Sequence, residues 1–194
     1  MSIDLSWLPD DGGTGHMPCN SDVINFWKAV KEITNFQSMM EIGFNAGHSS
    51  SIILSLFDDV RIDSYDIGQF DITHSNGKLV KEKFTDRFDL FIQDSMKISS
   101  SKLNGKYDLM FIDGSHDYNP VVSDINLFLN SDIQYVIMDD LQNKNVKRAY
   151  GELLNNSSFE VLHETRYTAI LPYQMRNKNI KPKNVPIRLI GKVK

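Results

Sequence analysis

The residues best suited to chemistry in this chain are acids that recur at the ends of apolar runs. Glu41 sits in Met39-Met40-Glu41-Ile42, Asp66 ends the alternating segment 60–66, and Asp94 follows Leu90-Phe91-Ile92-Gln93. Asp113 ends Leu109-Met110-Phe111-Ile112, and Asp139-Asp140 follow the run 133–138. If these runs are parallel strands of one open sheet, their carboxyl ends form the edge where ligands bind. Carboxylates crowded on one rim repel one another, so a cation or a set of donors belongs above them. His116, three residues past Asp113, adds an imidazole suited to taking a proton from a bound hydroxyl. A hydrogen-bonding or packing role is the plainer alternative for it. His16, in the N-terminal arm, could reach a substrate, though an exposed His without function is the plainer reading; His48 can simply fill space at a helix start, and His74 and His163 carry no signal.

The element that positions the rim is 38–50, SMMEIGFNAGHSS. An apolar run breaks at Gly43, a second glycine follows at Gly47, and Ser49-Ser50-Ser51 lead into Ile52-Ile53-Leu54. That reads as a strand, a tight turn and a helix start, where the backbone can approach a ligand and free N–H groups favour acceptor atoms. The spacing is E-x-G-x-x-x-G and not the dinucleotide fingerprint G-x-G-x-x-G.

Around it the chain alternates. The expected elements are helices near 20–33, 48–57, 78–88, one with Pro120 in its first turn, and 144–154, with strands near 38–43, 60–66, 89–95, 107–114 and 133–138. The stretch 71–76 reads as a polar loop, and 159–171 and 185–193 read as two closing strands joined by a Lys- and Asn-rich connection. This order predicts an α/β fold: a Rossmann-like doubly wound sandwich on a seven-stranded, mostly parallel sheet with an antiparallel edge hairpin at the C-terminus. Residues 1–194 make one domain, in which 1–19 is an irregular arm able to fold over a site as a lid. Cys19 is the lone cysteine, so no internal disulfide forms and a cysteine-based zinc site is not expected. No apolar run is long enough for a membrane span. The acidic start MSIDLSWLPDDGG is unlike a signal peptide, and the expected location is cytoplasmic. From Arg166 onward there are eight basic residues and no acid. Without an aromatic platform this favours a solvated edge hairpin over nucleic acid.

Taken together, EIGFNAGHSS, YDIG, IQDS, YDLMFIDGSHDYNPVVSDI and VIMDD resemble the class I S-adenosylmethionine-dependent methyltransferases over about residues 20–170. FIDGSH-D-Y is most similar to the catechol and macrocin-type O-methyltransferase subgroup. The resemblance implies S-adenosylmethionine as cofactor, held by Glu41, Gly43, Phe44, Asn45, Gly47, Asp66, Ile67, Asp94, Ser95 and Asp113. In it Asp66 binds the ribose hydroxyls and Asp94 with Ser95 frames the adenine. It also implies Asp113, Asp139 and Asp140 as ligands of Mg²⁺ in the manner of metal-dependent members. Against that, Asp113 lines the cofactor pocket in metal-free members, and an Asp-Asp pair can cap the next helix.

The expected function is methyl transfer to oxygen on a small hydroxylated molecule, a sugar or a diol, with His116 and Asp113 as catalytic residues. Transfer to nitrogen or to a macromolecule, and a non-catalytic cofactor-binding scaffold, remain the alternatives. A nicotinamide-dependent dehydrogenase lacks its fingerprint here. A chain this close to a bare core implies either a small acceptor or a homodimer whose partner completes the pocket. No membrane partner is expected.

Overall fold

The computed structural model describes residues 3–10, 16–155, 158–169 and 183–192. Its centre is a parallel sheet whose inner strands, at 38–42, 109–112 and 135–138, are buried on both faces, as their apolar runs require. β1 (Ser38–Ile42), β2 (Arg61–Asp66), β3 (Phe88–Ile92), β4 (Leu109–Ile112) and β5 (Tyr135–Met138) pair in parallel, and all four residues of β4 are buried. β6 (Phe159–Ala169) and β7 (Lys183–Lys192) form an antiparallel hairpin set against β5 through β7. The sheet order is β3-β2-β1-β4-β5-β7-β6. The polar connection expected between the last two strands lies outside the described residues.

Successive strand residues serve opposite layers, as the two-residue period demands. Met39, Leu109, Phe111 and Ile137 pack with α1 (Ser21–Thr34), α2 (His48–Leu56) and α3 (Asp71–Phe84). Met40, Met110, Val136 and Met138 pack with α4 (Tyr118–Leu129) and α5 (Lys144–Leu154). α1 starts where the Asn20 side chain accepts from Val23 N and stops at Asn35 in the left-handed region. Its Trp27 is wholly buried and meets Phe26 and Phe111 edge-on.

One helix boundary differs from the sequence expectation. α3 begins at Asp71 and absorbs the stretch read as a loop. Composition misled because Thr73 and Asn76 are buried. Asn76 Nδ2 donates to Pro9 O and to Ala46 O, each at 2.9 Å, so this polar turn ties the N-terminal arm to the loop after β1. α4 starts at Tyr118, which puts Pro120 in its first turn. The arm is anchored rather than loose: Leu8 and Met17 are buried, and Trp27 Nε1 donates to Met17 Sδ at 3.5 Å. Among the described residues no helix is long and apolar enough to cross a membrane.

Candidate active site

The carboxyl ends of β1 and β4 adjoin at the point where strand order reverses, and the loop after β1 is built for close approach. Gly43 has φ +97° and lies so near β4 that an added Cβ would stand 2.2 Å from Asp113 O. Asn45 and Gly47 also take positive φ, at 50° and 81°. Phe44 N and Asn45 N both donate to Asp66 Oδ2 at 3.0 Å, and Gly68 N donates to Oδ1 at 2.8 Å. Asp66 therefore locks the glycine loop to the end of β2. Of the roughly four lone-pair sites of a carboxylate, three are used, leaving one for a ligand hydroxyl rather than a pair for a diol.

These residues line a cavity of about 650 Å³, within the ~300–1,000 Å³ of small-molecule and cofactor sites. Of the residues singled out in the sequence, Gly43, Phe44, Asn45, Gly47, Asp66, Ile67, Asp94, Ser95, Asp113, His116 and Asp140 border it. His16 and Met17 border it too, so the arm reaches the cavity wall.

Glu41 does not border it. Its side chain is wholly buried and accepts hydrogen bonds from Ser49, Ser50 and Ser64. Burial pushes its pKa up against those three donors. It fastens the start of α2 to β1 and β2, which a carboxylate pointing at a ligand could not do. Asp94 is placed at the cavity and also caps the 3-10 turn 95–97: its Oδ1 accepts from Met96 N at 3.0 Å, and its Oδ2 lies 3.7 Å from Lys97 Nζ.

The acid pair after β5 is engaged with protein donors. Asp139, 3% exposed, accepts from Asp140 N and from Tyr167 OH, each at 2.7 Å. Asp140, at a strained φ of 54°, meets His116 Nε2 at 2.5 Å through Oδ2 and accepts from Gln142 Nε2 through Oδ1. Burial would raise the Asp140 pKa, but the His116 hydrogen bond and charge, with Gln142, hold it below the usual value. The hydrogen bond to Asp140 raises the His116 pKa against burial. Burial, followed by repulsion from Asp139, Asp140 and Glu41, pushes Asp113 well up. Asp139 is raised by burial and then by Asp140.

Asp113, Asp139 and Asp140 do not converge. A crevice bounded by them and His116 is only about 10 Å³, no larger than one water. Among the described residues, the His, Cys, Asp and Glu whose ligand atoms all lie within 4.8 Å of one another are Asp10, His16 and His48. Asp10 Oδ1 is 3.1 Å from His16 Nδ1, and the two imidazoles stack at 4.4 Å and 17°. Parallel rings send their in-plane lone pairs along parallel planes, so this cluster as placed clasps the arm to α2.

The other candidates have packing roles. Tyr118 OH donates to Glu152 beneath the Arg148 guanidinium, joining α4 to α5. His74 bonds Gly68 O, His163 stacks on Phe26, and Cys19 is exposed. Sequence reading missed Tyr167, hidden in an alternating edge strand, and Asp124, which reads as an ordinary polar position of α4. Asp124 is 2% exposed and borders the cavity; a buried acid on a helix face otherwise apolar was the signal available for it.

Comparison with known proteins bears on the family and the fold. A family described as a methyltransferase domain matches residues 40–140, more than half of the chain. No curated protein matches in sequence. Among solved structures, an O-methyltransferase from Bacillus cereus in complex with S-adenosylhomocysteine is 15% identical, with 96% of this chain and 86% of that one covered at a TM-score of 0.64. TomG, the O-methyltransferase of tomaymycin synthesis from Streptomyces achromogenes, is 12% identical over 91% and 82% of the two chains, also at 0.64. A proposed RNA methyltransferase from Pyrococcus horikoshii is 17% identical over 99% and 91%, at 0.65. At these identities the structures speak for the fold, and the family match speaks for membership. The chain belongs to the methyltransferase-domain family, among the class I S-adenosylmethionine-dependent methyltransferases.

Proposed function

We propose that this protein transfers a methyl group from S-adenosylmethionine to a hydroxyl of a small molecule, with His116 as the general base. The observation that carries the reading is the 2.5 Å contact of His116 Nε2 with Asp140 Oδ2 at the cavity edge. The cofactor fits the residues present. Gly43 and Gly47 let the loop pack tightly on Asp113 and Phe44 while its backbone borders the cavity, Asp66 keeps one acceptor site, and Asp113 sits among acids that a cationic ligand would relieve. Bound there, the cofactor supplies an electrophilic methyl on a sulfonium. The protein aligns it with the acceptor, which is most of the catalysis such a displacement needs. His116 takes the hydroxyl proton, and the Asp140 carboxylate orients the ring and stabilises the imidazolium. His16 and Met17 at the cavity wall favour a small acceptor over a macromolecule. The homodimer expectation finds support in Phe91 and Ile92, exposed on the edge strand β3.

A second reading places Mg²⁺ on Asp113, Asp139 and Asp140. It is favoured by the upward pKa shifts that mutual repulsion contributes at Asp113 and Asp139. As placed, these acids do not fit a metal: Asp139 is held by Tyr167 and Asp140 by His116. No step is therefore derived through one. The test is release of S-adenosylhomocysteine from S-adenosylmethionine against a panel of catechols, sugars and polyols, in EDTA and in Mg²⁺. Removing the base by His116→Ala is expected to cost ~10²–10⁴-fold in kcat. Unchanged turnover in His116→Ala overturns the assignment, and activity confined to Mg²⁺ moves it to the second reading.

A further inference from the structure

Asp124 is a carboxylate 2% exposed midway along α4, and among the described residues its Oδ1 has no hydrogen-bond partner. A buried acceptor left unmatched costs free energy, on the order of 1–3 kcal/mol for a neutral group and more for a charge, so its retention asks for a reason. It borders the cavity at the end formed by Ile67, Gln93, Ser95 and Met96, beyond Asp66 from the glycine loop. At this end Ile67 is 58% exposed, Phe70 51% and Met96 53%. Such apolar side chains offer faces to a flat ring. The acid expected to read that ring, Asp94, already caps its own turn.

We propose that Asp124 recognises the 6-amino group of the cofactor's adenine, its Oδ1 accepting an N6–H. This inference rests on the S-adenosylmethionine reading above. The chemistry is selective: an ionised carboxylate only accepts, so it matches a 6-amino purine and opposes a 6-oxo purine. Gln93, also at this end, carries both donor and acceptor and makes no such distinction. Burial lifts the Asp124 pKa to about 6, partly offset by the Ser95 hydroxyl, so the carboxylate form prevails at pH 8.

The test is calorimetric titration of the full chain at pH 8 with S-adenosylhomocysteine and with S-inosylhomocysteine, in which oxygen replaces the 6-amino group. The wild-type protein is expected to bind the inosyl compound roughly 10- to 100-fold more weakly, as loss of a hydrogen bond to a charged group implies. Asp124→Asn keeps the shape and adds a donor for the 6-oxo group, so the preference should shrink below threefold or reverse. A purely structural Asp124 would not move the ratio between ligands. Equal binding of both by the wild type overturns the proposal while leaving the cofactor reading intact, and this arm needs no variant to fold. A wild type that binds neither overturns the cofactor reading and this inference with it.

Discussion

Gly43→Ala should damage both stability and ligand binding, and its size can be worked from the structure. The added Cβ would stand 2.2 Å from Asp113 O, 2.6 Å from Asp113 C and 2.7 Å from Gly114 Cα, whereas ordinary contact begins at 3.4 Å. All three atoms are backbone, so the tips of β1 and β4 must part by about 1 Å. The φ of +97° adds strain that only glycine escapes. Overpacking of ~1–3 kcal/mol and a left-handed penalty of ~1–2 kcal/mol together give about 2–5 kcal/mol. At ~2–4 °C per kcal/mol for a chain of this size, Tm should fall by roughly 4–20 °C. Two further glycines separate the causes. Gly105 has φ +71° but nothing within 4 Å among the described residues, so Gly105→Ala should cost only the ~1–2 kcal/mol of backbone strain. Gly151 lies inside α5 with open space around it, so Gly151→Ala should stabilise by ~0.5–1 kcal/mol. Thermal and urea unfolding measure all three, with S-adenosylhomocysteine titration as the second readout. A ~1 Å shift of the cofactor loop should weaken binding at least tenfold in Gly43→Ala alone. A Gly43→Ala protein as stable as Gly105→Ala, with unchanged affinity, would refute the packing argument.

The rate of methyl transfer should rise with pH through a pKa above the ordinary 6.5 of histidine, because His116 must be neutral to act and Asp140 raises its pKa. In Asp140→Asn the same limb should move to lower pH; a limb that stays put excludes His116 as the titrating base. Stability should fall between pH 5 and pH 8 in urea unfolding. Glu41, Asp113, Asp124 and Asp139 have raised pKa values, so the folded state holds protons there that the unfolded chain has released. His116 acts in the same sense, its contribution being complete below pH ~6.5 and lost above its folded pKa. A stability that rises across this range contradicts the assignment. Tyr167→Phe leaves Asp139 Oδ2 without its donor and should cost about 1–3 kcal/mol at neutral pH; a change under ~0.5 kcal/mol would show the contact to be idle.

Much of the fold was legible because strand and helix periods are regular here. The buried runs at β1, β4 and β5 and the amphipathic α1 and α5 could be placed within a few residues. α3 was not, since its first two turns are polar for a tertiary reason: Asn76 spans the arm and the β1 loop. The site was legible as a set of positions but not as a set of partnerships. Glu41 and Asp66 were both visible as rim acids. Only coordinates show that serine hydroxyls consume the first and backbone N–H groups most of the second. The engagement of Asp139 by Tyr167 joins residues 28 positions apart, and no local pattern announces it. The basic residues after Arg166 are partly explained: Arg188 pairs with Glu164 at 2.5 Å, and Lys192 donates to Ser131 O at 2.8 Å. Arg176, Lys178, Lys181 and Lys194 lie outside the described residues.

The most direct test of the central claim is turnover of S-adenosylmethionine to S-adenosylhomocysteine with a hydroxylated acceptor in excess EDTA, comparing wild type with His116→Ala. The account predicts metal-independent methylation on oxygen by the wild type and loss of at least ~10²-fold in the variant. Methylation that vanishes in EDTA and returns with Mg²⁺, or that survives His116→Ala unchanged, would contradict it.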